Sequence, residues 1–237
     1  MKDRTLFGRP LSLVWAVLTP LIILCYLFVD RPACDFINDH HWQRQLFALA
    51  QLTANAGPST APHDLQSNSL INSIADWPPL VTGFAPLLML LALAFPQGKI
   101  RRLLTAIGIS VLFTFLLKND LKWVFSRYWP LTWTHNNVSW ITHHAYGFQW
   151  FQGKIFQGGD TTGSFPSGHT AIAFSSLLPI GMFFRKTLPW CILLGCVEGT
   201  LMVVFNYHFV SDVLAGALIG VSCAFWTQSL MKTEHST

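Results

Sequence analysis

Two short stretches carry residues able to do chemistry. In GSFPSGHTAIAF, residues 163–174, Pro166, Ser167, Gly168 and His169 stand directly before a long apolar run. In NYHFVSDVLAG, residues 206–216, His208 precedes Asp212 by four positions, which puts both on one helical face. An aspartate that holds one imidazole nitrogen sets the tautomer and leaves the other nitrogen as nucleophile or base. A helix start behind a Ser-Gly turn offers backbone N–H groups to an anion, and Lys122 and Arg127 add two cations upstream. Two histidines, one aspartate and two cations around an anion cradle suit phosphoryl transfer. A lone histidine at a helix start is ordinarily only a cap or a solvated residue. The chemical reading therefore depends on whether the rest of the chain brings these groups together.

Hydropathy supplies the elements that position them. Of 237 residues, 51% are hydrophobic and 11% charged, against about a quarter charged in an ordinary soluble domain, and the mean hydropathy is +0.41. Apolar runs near the length that crosses a bilayer, about 20 residues, occur at about 10–29, 79–96, 103–121, 169–185, 188–206 and 211–230. The expected fold class is all-α, a polytopic membrane helix bundle of about six transmembrane helices. Lys118 and Asp120 interrupt the end of the third run, and Lys118 is expected to snorkel to the interface. Chosen from hydropathy alone, these runs place Lys122, Arg127, Ser167, Gly168, His169, His208 and Asp212 all at the same, outer ends of the helices. Ionisable groups that converge at a membrane boundary mark a functional site by default.

Orientation follows from basic residues in the short connections. With the N-terminus inside, Lys2, Arg4, Arg9, Lys99, Arg101, Arg102, Arg185, Lys186 and Lys232 all fall on the cytoplasmic side. The site then faces the periplasm or exterior, and the inner membrane of a bacterium is the expected location. Residues 1–29 read as a retained first span, not a cleaved signal. The whole chain, residues 1–237, is expected to form one membrane-embedded domain. Residues 30–78 are expected to form an outer loop, in which Trp42, Leu46 and Leu49 recur at helical spacing and suit either an interfacial helix or packing against the bundle. Cys25, Cys191, Cys196 and Cys223 fall in spans and Cys34 outside, so no disulfide scaffold or metal-ligand spacing emerges. No cofactor, metal or nucleic-acid partner is expected.

At these residues the chain resembles the type 2 phosphatidic acid phosphatase (PAP2) family, six-span lipid phosphatases related to the vanadium haloperoxidases, over about residues 80–225. Pro166, Ser167, Gly168 and His169 match the family's Pro-Ser-Gly-His motif in full, and His208 and Asp212 match the end of its third motif. Counting from Lys122, the first-motif arginine position holds Trp129, followed correctly by Pro130; Arg127 stands where many members carry an additional arginine. The third motif's Ser-Arg pair is replaced by Leu201 and Met202. The resemblance implies a metal-free mechanism in two steps. His208, oriented by Asp212, would attack phosphorus, and His169 would protonate the leaving group. Lys122, Arg127, Ser167 and Gly168 would hold the phosphate oxygens, with Asn206, Tyr207 or Asn136 as neutral donors in place of a missing arginine. His135, His143 and His144 are expected to be merely solvated.

Three readings follow: a hydrolase acting on a lipid phosphate monoester or diphosphate, a lipid-to-lipid phosphotransferase using the same site, and a non-catalytic lipid-binding or transport protein. The replaced arginines support the last, and the retained nucleophile with its orienting acid opposes it. A phospholipid, a polyprenyl phosphate and a lipid A-type molecule are all candidate substrates.

Overall fold

The structure is a computed structural model that describes residues 5–42, 45, 77–132, 137–153 and 163–233. Helix α1 (Thr5–Leu24) continues through a π-helical turn, Cys25–Val29, into α2 (Asp30–Asp39). Leu11–Asp39 is thus a single helical stretch of 29 residues, whereas the apolar run in the sequence stops at residue 29. The added turns bring Asp30 and Cys34 into the helix, and both are buried. Cys34, expected outside, is therefore part of the packed bundle. The stripe at Leu46 and Leu49, with His135 and Asn136, lies outside the described residues.

Helix α3 (Trp77–Ala94) opens with Pro78 and Pro79 in its first turn, where a missing N–H breaks no intrahelical bond. Helix α4 (Lys99–Phe125) runs unbroken for 27 residues past Lys118 and Asp120. At 1.5 Å per residue it is about 40 Å long, more than the roughly 30 Å hydrocarbon core, so its charged last turns can stand at the boundary. It ends on Ser126, whose left-handed backbone (φ 46°) turns the chain back over the bundle end. The connection that follows contains the four-residue α5 (Trp140–His143) and two isolated bridges, Arg127 to Phe148 and Trp129 to Ser139. Then come α6 (Gly168–Phe183), α7 (Leu188–Val204) and α8 (Val210–Thr233).

Among the described residues five helical stretches are long and apolar enough to cross a membrane, and the chain is an integral membrane protein. The sixth expected span is α6, which has only 16 residues. It is the central helix, packed by α4, α7 and α8, with Ala171 through Ser176 all buried. Most of its surface meets protein, so lipid thickness does not dictate its length.

The tightest packing is α6 on α8. A Cβ on Gly216 would overlap the Ser167 carbonyl oxygen, and one on Gly220 the Ala171 carbonyl oxygen. This pair, four residues apart, is the small-residue spacing that lets helix backbones approach in membranes. The contact also carries a hydrogen bond from Ser167 N–H to the Asp212 carbonyl, 2.9 Å. Two chemically loaded helix starts, at Gly168 and Val210, are thereby fixed side by side.

Candidate active site

At that end of the bundle lies a cavity of about 300 Å3. Its wall includes Lys118 and Lys122 from α4, Trp129 from the following connection, Gly168 and His169 from the start of α6, and His208 from the α7–α8 turn. The His169 and His208 rings have centroids 6.4 Å apart, and the Trp129 ring lies 5.5 Å from that of His208. The Lys122 ammonium donates to the Gly163 carbonyl and stands 5.3 Å from the Trp129 ring. Of the residues singled out in the sequence, Lys122, Gly168, His169 and His208 meet here.

His208 is set by its turn. Asn206 takes a left-handed backbone (φ 53°), tolerated by asparagine, and the His208 N–H donates to the Met202 carbonyl at 3.1 Å. On the imidazole, Nδ1 lies 3.7 Å from Asp212 Oδ2, longer than a hydrogen bond. The Ser164 hydroxyl spans the gap, donating to Asp212 Oδ2 at 2.5 Å and lying 3.4 Å from His208 Nδ1. With Nδ1 on the aspartate side, Nε2 is the nitrogen left for chemistry. Burial holds this imidazole below its ordinary value of 6.5, with Asp212 opposing and the Lys122 charge adding to the shift.

Arg127 differs from its expected role. Its side chain is fully buried and does not line the cavity. The guanidinium donates to Asp30 at 2.7 Å, to Asp212, to the Ser211 hydroxyl at 2.7 Å and to the Tyr146 hydroxyl at 3.2 Å. Four rings surround it, those of Tyr26, Tyr146, Phe148 and Phe209, at 4.4 to 5.3 Å. Burial pulls this guanidinium down, but the Asp212 and Asp30 carboxylates more than offset it and hold it raised. Asp30 also accepts from the Ser211 N–H at 2.9 Å and from the Ser211 hydroxyl. The arginine is thus a tie between the first helix and Asp212, placed behind the cavity. A phosphate could reach it only by displacing carboxylates.

Ser167 also differs. Its hydroxyl caps α6, accepting from the Thr170 N–H at 3.4 Å with the Thr170 hydroxyl 3.0 Å away, and the residue is fully buried. Asp212 is equally buried and acts on the cavity through His208 and Ser164. Asn206 is buried, whereas Tyr207 reaches the wall. Met202 is packed in the core at 1% exposure, so no cation stands at that motif position. Trp129 occupies the other; its indole N–H is buried and without a hydrogen-bond partner among the described residues.

Three participants were not foreseen from the sequence. Ser164, three residues before Ser167 in the same stretch, had no motif to mark it. Asp30 is 97 positions from Arg127, and no local pattern connects them. Lys118 was visible as a charge in an apolar helix, one turn before Lys122, which was signal enough. Among the described residues no group of three or more His, Cys, Asp or Glu is arranged to hold a metal.

A polytopic helix bundle whose one end carries two histidines, a buried aspartate and lysines around a small cavity is a class of membrane protein suited to binding a phosphate group. The chain belongs to the PAP2 superfamily, whose family model matches residues 100–236. It is 31% identical over 86 residues to the lipid A 1-phosphatase of Porphyromonas gingivalis, covering 33% of this chain and 19% of that protein. It is 37% identical over 75 residues to the bacitracin transport permease protein BcrC of Bacillus licheniformis, covering 30% of this chain and 37% of that one. The chain thus spans well under two thirds of either relative. Among solved structures, Aquifex aeolicus LpxE is similar at 22% identity, with 77% of this chain and 93% of that chain covered and a TM-score of 0.39. The PAP2-type phosphatidylglycerolphosphate phosphatase of Bacillus subtilis is similar at 14% identity, covering 90% and 96%, with a TM-score of 0.42.

Proposed function

We propose that the protein is a membrane lipid phosphatase that removes phosphate from a lipid monoester or diphosphate through a phosphohistidine, without a metal, at the outer face of the membrane. The observation that carries this reading is the meeting of His208, His169 and Lys122 on one cavity, with Asp212 buried behind His208. The His208 Nε2 lone pair forms a bond to phosphorus as the bond to the leaving oxygen breaks, and His169 gives that oxygen its proton. Water then attacks phosphorus, its proton passes to His169, and the N–P bond breaks to release phosphate. Lys122 and the Gly168 N–H hold the non-bridging oxygens through both steps. The family membership, the name of the Porphyromonas gingivalis relative and the position of the cavity at a helix-bundle end all favour a lipid headgroup as substrate. A phospholipid, a polyprenyl phosphate and a lipid A-type molecule all fit that description. The name of the Bacillus licheniformis relative favours a transport reading, which has no use for a histidine pair with a buried aspartate.

The test is phosphate release by purified protein in detergent from phosphatidate, phosphatidylglycerol phosphate, polyprenyl phosphate and diphosphate, and lipid A. At least one is hydrolysed, a chelator leaves the rate unchanged, and vanadate competes with substrate. No release from any of them sinks the phosphatase reading, and loss with chelator that a divalent ion restores sinks the metal-free one. For orientation, a cysteine replacing Gly158 reacts with a membrane-impermeant reagent in intact spheroplasts. Labelling only after lysis reverses the topology.

A further inference from the structure

The cavity holds a lysine that no part of this mechanism uses. Lys118 precedes Lys122 by one helical turn, and both line the wall. The Lys118 side chain crosses the start of α6: an atom added at the Gly168 Cβ position would lie 3.4 Å from its Nζ. The ammonium donates to the neighbouring Asn119 side chain at 2.8 Å and stands 4.8 Å from the Phe115 ring. Among the described residues neither lysine makes an ion pair, and the Asp212 carboxylate behind the cavity is engaged by Arg127. Like charges four apart on a helix repel modestly, and an anion between or beside the pair relieves that repulsion.

Depth separates the two. A rise of about 1.5 Å per residue sets Lys118 about 6 Å nearer the middle of the bilayer than Lys122. On that side the wall turns apolar, with Pro79, Phe115 and Ile172. A lipid whose tail leaves the cavity there carries its headgroup past Lys118 before reaching Lys122 and the histidines. A headgroup of two phosphoryl groups would offer one to each lysine along that path, the outer to Lys122 and the inner to Lys118. Trp129 and Met202 stand at the two positions where the resemblance implies arginines, and Lys118 lines the same cavity as Lys122.

Resting on the phosphatase reading, we infer that Lys118 is a substrate-binding residue that holds the lipid-proximal phosphate of a lipid diphosphate, so that this chain prefers diphosphate to monophosphate headgroups. His208 Nε2 takes the terminal phosphoryl group, the bridging P–O bond breaks, and the departing oxygen of the lipid monophosphate receives its proton from His169. Lys118 neutralises charge on that leaving phosphate.

Steady-state kinetics of wild type, Lys118→Ala and Lys118→Arg on one polyprenyl chain bearing either a diphosphate or a monophosphate test this. Loss of one charge-assisted contact predicts that Lys118→Ala raises the diphosphate KM about 10- to 100-fold. The monophosphate KM stays within about threefold, and Lys118→Arg recovers most of the loss. A readout free of turnover is thermal stabilisation in detergent by inorganic pyrophosphate against inorganic phosphate: wild type is stabilised more by pyrophosphate, and Lys118→Ala loses the difference. Equal KM changes on both lipids, or an unchanged pyrophosphate advantage in Lys118→Ala, overturn the role of Lys118. Wild type that hydrolyses neither lipid overturns the phosphatase reading instead, and the stabilisation experiment still judges Lys118 by itself.

Discussion

His208→Ala abolishes turnover of every substrate, while His169→Ala slows it by about 10²–10⁴-fold only where the leaving group needs a proton, the usual span of acid–base catalysis. The difference follows from their roles. In the proposed mechanism His208, with Asp212 behind its Nδ1, is the nucleophile, and His169, its ring centroid 6.4 Å away, serves the leaving group. An aryl phosphate with a good leaving group therefore retains much of its rate in His169→Ala and none in His208→Ala. Asp212→Asn falls between, because Ser164 still reaches Nδ1 but the carboxylate that favours the correct tautomer is gone. The pH profile carries a matching signature. His208 attacks only when neutral, and burial holds its imidazole below 6.5, so kcat/KM stays high as pH drops through 6.5 and its acidic limb lies lower. Equal, mild losses in the three variants, or an acidic limb above 6.5, would return the two histidines to ordinary helix-end residues.

Much of the site was legible because two of its parts are local. The run from Pro166 to His169 and the four-residue spacing from His208 to Asp212 each lie within one turn of chain, and hydropathy put both at the same ends of the spans. Bundle topology needed no more than apolar run lengths, although α6 shows that length fails for a helix enclosed by other helices. What hydropathy could not show is direction. Arg127 sits five residues after Lys122 and looks like its companion, but Ser126 reverses the backbone between them and sends the guanidinium behind the cavity. Hydropathy sends Lys118 to the interface by snorkelling, and only the structure shows that it lines the cavity together with Lys122. Asp30 read as loop because an acid ends an apolar run; its buried cation partner, 97 residues on, is what makes it affordable inside a helix.

That partnership gives the second large effect. Arg127→Met leaves Asp30 and Asp212, both fully buried, without their shared counter-charge. Breaking a buried pair by removing one partner costs about 3–5 kcal/mol, a large fraction of a typical domain's stability. The variant is expected to melt well below wild type in detergent, and to lose activity even where it folds, because Asp212 no longer has its place. Arg127→Lys recovers little, since one ammonium cannot fork between two carboxylates while also reaching the Ser211 and Tyr146 hydroxyls. Adding Asp30→Asn to Arg127→Met removes one of the stranded charges and restores part of the melting temperature. Activity does not return with it, because the guanidinium that held Asp212 is still absent. The role first expected for Arg127, holding substrate phosphate, makes the opposite forecast: wild-type melting, a raised KM and no response to Asp30→Asn. Thermal unfolding and steady-state kinetics on the same four proteins, wild type, the two single Arg127 variants and the double variant, separate a tie between helices from a hand on the substrate.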